Sequence, residues 1–329
     1  MSFVPIQIRD KEQASLDLLK PAVETALHEA EVKLEIPSSY TGVTGFYDHN
    51  LKINKIAYAA IEEFDLPLLR TWYRYGQFEP YDQLRPKSLN IGDNSRDAYV
   101  PSSLKTDVTQ GRIVKYLLNR GLEATFEQPL FDFLIENYKQ WEPEPYEDAY
   151  VASTRIIRAL ENINEANQGK ILANISGLRR DVKQASIDLR YQFNSIRTFE
   201  SPLQNHIEAY LSDLEHTLMK IDETSELGSN QVETLQQSRN VYHESVWPWA
   251  AINISIDKAR GPENSLPGFR ESGKAMLDDR KRSYQTHLKG WRASLKEEDF
   301  KPSFESYKKA VRPTPEAIQN LQKAAHRNN

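Results

Sequence analysis

Residues 148–198 contain no proline, and their apolar side chains recur at a helical period: Val151, Ile156, Ile157, Leu160, Ile163, Ile171, Leu172, Ile175, Leu178, Val182, Ile187, Leu189, Phe193 and Ile196. That length and spacing predict long amphipathic helices. Gly169 and Gly177 weaken the run but supply no proline to stop it. A second stripe follows in "SPLQNHIEAYLSDLEHTLMKIDE", with Ser201 as N-cap and Pro202 at the first helical position. The two segments together predict an antiparallel helical hairpin over 148–225.

The rest of the chain reads as shorter helices. Residues 12–34 have helical spacing interrupted by Pro21, and Ile53, Ile56, Ala57, Ala60, Ile61 and Phe64 form a stripe that ends near Asp65. On that stripe Lys52 and Lys55 are expected to face outward. After Pro67, "LLRTWYRYGQF" predicts a second short helix stopped by Gly76, a favourable place for a positive φ. Residues 79–104 read as a long loop. "TDVTQGRIVKYLLNRGL" reads as a helix capped by Thr106 or Asp107, and "FEQPLFDFLIENYKQW" as a helix with an aromatic face. The acid-spaced prolines of "EPEPYED" disfavour both helix and sheet and mark a boundary, dividing the chain into 1–145 and 146–329. Beyond it, "VETLQQSRNVYHESVWPWAAINISIDKA" is a helix interrupted at Pro248, and a basic helical segment starts at Phe269. The fold class is mainly α.

The 329 residues include no cysteine, which excludes disulfides, thiolate metal sites and cysteine nucleophiles. The N-terminus lacks the basic start and apolar run of a signal peptide, and no stretch is apolar enough to span a bilayer, so a cytoplasmic protein without membrane contact is expected. Residues 1–150 hold 16 Lys and Arg against 24 Asp and Glu, leaving 26 against 23 in residues 151–329. Only the second half carries a net charge suited to phosphate.

Glycine-rich phosphate cradles, GxSxG and HExxH are absent, so no catalytic residue, cofactor or metal is assigned. His206, Asp213 and His216 recur at spacings that share one helix face, the basis of an alternative metal-dependent enzyme reading, although a bundle metal site needs further ligands from a neighbouring helix. His243, Glu244 and Ser245 are adjacent in sequence and diverge on a helix. Trp247 and Trp249 read as packing around Pro248. Basic residues gather over 155–198 and 270–312, where Arg179, Arg180, Lys183, Arg280, Lys281 and Arg282 are the candidate phosphate contacts of a nucleic-acid-binding reading. Solvated, ion-paired helix faces account for the same residues. The aromatic group Trp72, Tyr73, Tyr75 and Phe78 either caps a small core or meets a protein partner.

The order K-x-x-K-I-x-Y at Lys52, Lys55, Ile56 and Tyr58, followed by Tyr73, Tyr75 and Gly76, resembles the opening of small winged-helix-like regulators of the Panacea-type antitoxin kind. The likeness covers residues 50–140 at most, and Gln77 stands where that family has proline. It implies a winged-helix-like module in residues 1–145, a long-helix bundle after it, and a regulatory role in toxin–antitoxin or phage-conflict settings. The expected function is therefore a non-catalytic regulatory or interaction protein with a protein partner, able to self-associate; the nucleic-acid and metal-enzyme readings are its alternatives.

Overall fold

The computed structural model describes residues 8–32, 45–84, 89, 108–141, 145–166, 175–221 and 229–295. The mainly helical expectation holds: among these residues the only sheet is one short antiparallel hairpin. None of the described helices is long and apolar enough to cross a membrane. The chain divides into two compact units. Unit 1 comprises Met1–Thr154, Ile196–Phe199 and Trp247–Arg282; unit 2 comprises Arg155–Ser195, Glu200–Val246 and Ser283–Asn329. The boundary motif "EPEPYED" lies partly outside the described residues.

In unit 1, helix α1 (Asp10–Glu29) runs through Pro21 as one element. Its third residue, Glu12, reaches back to the backbone N–H of Arg9 at 3.3 Å, satisfying a donor that a helix start leaves open. Helix α2 (Gly45–Glu63) packs with it around Leu16, Leu19, Val23, Ile53, Ala57 and Ile61. Every residue of α2 from Leu51 to Ile61 is buried, including Lys52 at 1% and Lys55 at 4% exposure. The outward placement expected for these two lysines is therefore wrong. The helix has no solvent face over that stretch, because its polar side is covered as fully as its apolar side.

The short helix expected after Pro67 is also corrected. Thr71–Tyr73 is strand β1 and Gly76–Phe78 is strand β2, paired antiparallel with Thr71 opposite Phe78 and Tyr73 opposite Gly76. A β-branched residue followed by two aromatics suits a pleated, half-buried surface, and the two-residue turn Arg74–Tyr75 closes the hairpin. Gly76 does take positive φ, at 84°, but as a hairpin residue. Pressed against the Tyr138 ring, it leaves no room for a Cβ, which would fall 2.5 Å from that ring. Arg70, just before β1, exchanges backbone hydrogen bonds with Arg260 at 2.9 and 2.8 Å, tying the hairpin to the chain after helix α10 (Trp247–Lys258).

Helix α3 (Gln110–Asn119) begins after Thr109, whose hydroxyl accepts from the N–H of Arg112 at 3.3 Å; the expected caps Thr106 and Asp107 lie outside the described residues. The aromatic segment after it is two helices, α4 (Leu122–Glu127) and α5 (Leu130–Trp141), separated at Pro129. The loop expected at 79–104 is described only at its start, through a single 3-10 turn at Asp82–Leu84, and at Leu89. Helix α6 (Glu147–Ala166) starts in unit 1 and continues into unit 2.

Of the hairpin expected over 148–225, residues 147–166 form the separate helix α6, and only the later part pairs as two helices, on which unit 2 is built. Helices α7 (Ile175–Ser195) and α8 (Ser201–Lys220) run antiparallel: Arg190 meets Glu208 while Arg179 reaches Leu218. Glu200 is the N-cap of α8 and Ser201 its first residue, one position earlier than the sequence suggests. Helix α9 (Ser229–Val241) passes into a π turn over Tyr242–Val246 just before Pro248. Proline lacks a backbone donor and clashes with the carbonyl four residues back, and a widened turn accommodates it without ending the helix. The last turns of helix α11 (Leu266–Ser294) complete the unit. Its interior carries Tyr210 against Tyr242 and Trp291, each at 5.4 Å between ring centroids.

Candidate functional site

The buried side of α7 is set by Ile175, Leu178, Val182, Ala185, Leu189 and Phe193. At 100° per residue the opposite side carries Arg180, Lys183, Gln184, Ile187, Tyr191 and Asn194, all exposed. Tyr191 is 70% and Ile187 50% exposed, one turn apart. With Met219 of α8 they are the exposed large hydrophobic side chains of the described residues. Two cations lie toward the start of α7, two large apolar groups toward its end, and no carboxylate lies on the stripe between them. Asp181 and Asp188 sit to its side, where Asp188 accepts from Arg155 at 3.1 Å.

The hairpin beneath is held rigidly. Arg190 bridges Glu208 and Glu215 of α8, each at 2.6 Å. Burial opposes the charge of this guanidinium, but the hydrogen bonds it donates to the two carboxylates outweigh it and hold the proton more firmly than usual. Arg179 donates to the backbone carbonyls of Leu218, at 2.7 Å, and Ile221, capping the C-terminus of α8 where a cation opposes the helix dipole.

The six cations expected to touch phosphate separate accordingly. Arg179 is consumed as a helix cap and Arg280 is buried. Arg282 pairs with Asp279, and Lys281 lies over the Trp249 ring at 5.8 Å. Arg180 is exposed beside Asp181, and Lys183 is exposed on the same stripe. The four aromatics expected to meet a partner belong to the hairpin of unit 1. Trp72 is buried edge-on against Tyr58 and Tyr150, and Tyr73 and Phe78 pack on one another at 5.6 Å; Tyr75 is half-buried. Arg70, at the start of the same hairpin, pairs with Glu62 at 2.7 Å.

The metal reading receives no geometry. His206 stacks on Tyr284 at 4.7 Å, Asp213 accepts from Arg292 at 2.6 Å, and His216 is exposed. Among the described residues no three His, Cys, Asp or Glu side chains gather as a metal would need. "YHES" diverges as expected: His243 approaches Glu161 at 3.3 Å, while the buried Ser245 hydroxyl meets Nδ1 of His287 at 2.7 Å. Sequence reading placed Ile187 on the buried period and passed over Tyr191. The missed signal was register, since the two form an i, i+4 pair roughly half a turn from Val182, Leu189 and Phe193.

A family model described as a domain of unknown function, DUF8098, matches residues 87–326. The chain belongs to this family. The DUF8098 match takes in α3 to α11, including the whole α7–α8 hairpin, and leaves α1, α2 and the β-hairpin outside it. The candidate surface therefore lies in the part of the chain that the family model matches, whereas the whole K-x-x-K-I-x-Y and Y-x-Y-G motif precedes it. No curated protein and no solved structure matches the chain significantly.

Proposed function

We propose that this DUF8098 protein is a non-catalytic interaction protein that binds a protein partner through the outward face of α7. The observation that carries the reading is the exposed pair Ile187 and Tyr191 on a helix whose other side is fully packed. A tyrosine offers large contact area with few torsions to fix, which is why it is enriched where interfaces hold their energy. A regulatory role is what the resemblance of residues 50–140 adds. The test is affinity purification with the wild-type chain and with an Ile187→Glu, Tyr191→Glu double variant. The reading expects one protein that stays bound through high salt and is lost with the variant; retention of that protein by the variant would overturn it.

Nucleic-acid binding is the second reading, favoured by Arg180 and Lys183 sharing the stripe with an exposed tyrosine able to stack on a base. It expects affinity that falls steeply with salt and a shallower slope in an Arg180→Ala, Lys183→Ala variant.

A further inference from the structure

Lys183, Ile187 and Tyr191 follow one another at intervals of four residues on α7, so they form a single i, i+4 row along its exposed face. All three are exposed. Neither Lys183 nor Tyr191 has a hydrogen-bond, ion-pair or ring partner among the described residues. At a rise of about 1.5 Å per residue, Lys183 lies about 6 Å before Ile187 along the helix axis and Tyr191 about 6 Å after it. The row is therefore a cation, an apolar centre and a π face at equal spacing. Arg180 and Asn194, both exposed and each seven residues from Ile187, extend that order with a guanidinium on one side and a carboxamide on the other.

Such an order is complementary to its own reverse. A two-fold axis at Ile187 turns a second row end for end, which sets each Lys183 against the Tyr191 ring of the other copy and each Arg180 against the Asn194 carboxamide. An isologous contact needs this property, because every residue must suit whatever the axis brings to it. A different partner requires no such symmetry of the face it binds. Like charges stay apart, since the two Lys183 residues lie about 12 Å from one another along the helix axes. Two i, i+4 rows run alongside each other when their helices cross at about −50°, the commonest packing class. The face is presented rigidly, because Arg190 ties α7 to Glu208 and Glu215 of α8.

We propose that the partner bound by this face is a second copy of the chain, in a two-fold dimer centred on Ile187. The inference rests on the reading that the outward face of α7 binds protein, and it names that protein. Ile187 meets its own copy at the axis, flanked by two cation–π contacts between Lys183 and Tyr191. One helix face offers less than the roughly 800 Å² per partner of a standard interface, so the dimer is in reversible equilibrium with the monomer.

The experiment is sedimentation velocity of the full chain over a range of concentrations. The mass is expected to rise from monomer to dimer, Ile187→Glu to stay monomeric, and Tyr191→Phe, which keeps the ring, to match wild type. Tyr191→Lys sets a second cation against Lys183 and Lys183→Glu sets a carboxylate against the ring, so each alone should associate about tenfold more weakly. Mixed together, the two variants regain one native cation–π contact and add an ion pair. The mixture should therefore recover the association that each lacks, which also shows that both fold. Because the chain has no cysteine, Ile187→Cys should oxidise to a disulfide-linked dimer, and Lys183→Cys, displaced from the axis, should give none. A monomer at every concentration, dimerisation untouched by Ile187→Glu, or no recovery on mixing overturns the proposal. Photo-crosslinking from position 191 then separates the two claims: an adduct with a different protein overturns the second copy alone, and no protein adduct overturns the interface reading with it.

Discussion

The ammonium of Lys52 donates to the carbonyl oxygen of Gln128 at 2.6 Å from within a helix that is buried on every side. It donates as well to Phe126 at 3.0 Å, so one lysine satisfies two carbonyls at the end of α4, and the rings of Phe126 and Phe133 lie within 6 Å of the same nitrogen. Burial pulls the proton affinity of this lysine down, with Asp48 opposing that effect. Replacing Lys52 by Ala strands both carbonyls. The loss of charged hydrogen bonds of this kind is worth about 2 kcal/mol, so the urea midpoint of Lys52→Ala should fall accordingly. An unchanged midpoint would show that the lysine is not structural.

Gly76→Ala tests the hairpin. The φ of 84° and the 2.5 Å approach to Tyr138 act together, so destabilisation of about 2 kcal/mol or more is expected. At the end of the helix that the sequence suggests, alanine would carry only the positive-φ cost of about 1 kcal/mol, without the clash against Tyr138. Denaturant titration of the variant separates the two.

Trp72→Ala should act on folding and leave partner binding alone. The indole is buried between Tyr58 and Tyr150, and truncating an aromatic of this kind costs about 3–5 kcal/mol. In a binding assay at a temperature where the variant remains folded, affinity equal to wild type is expected. A selective loss of binding there would restore this aromatic group as an interface.

Stability of unit 2 should decline in two stages on acidification. Burial holds the His206 imidazole below its ordinary 6.5, with a backbone hydrogen bond to Pro202 opposing the effect. The unfolded chain therefore takes up this proton first, and stability is lost as pH falls below 6.5. For Glu161, burial raises the carboxyl, but hydrogen bonds from His243 and Arg239 outweigh it and hold it below the ordinary 4.5. Its contribution is complete above 4.5 and disappears as pH drops through the folded value. His206→Gln should flatten the upper stage and Glu161→Gln the lower, read as urea midpoints across the pH series. Parallel curves for all three proteins would contradict the assignment.

The helices were legible where one face stays wet, and the α7–α8 hairpin shows why: Leu178, Val182, Leu189 and Phe193 advertise a period only because Arg180, Lys183 and Gln184 interrupt it. In α2 that contrast misleads. Lys52 looks like a solvent residue because the carbonyls that bury it are 74 and 76 positions away, a distance no local pattern reports. The hairpin was hidden for another reason, since a positive-φ glycine ends a helix as readily as it follows a tight turn, and three-residue strands are too short to display alternation. Ser245 and His287 meet across 42 positions, so the motif containing the serine gave no hint of its partner. The return of residues 247–282 to unit 1 is likewise a tertiary fact, carried by contacts such as the Arg70–Arg260 bridge.

The most direct test of the proposed interface is site-specific photo-crosslinking, with p-benzoylphenylalanine at Tyr191 and, as a control, at the exposed Glu233 of α9. The account predicts one protein adduct from position 191, lost when Ile187 is also changed to Glu, and absent from position 233. Nucleic-acid adducts from position 191, or the same adducts from both positions, would contradict it.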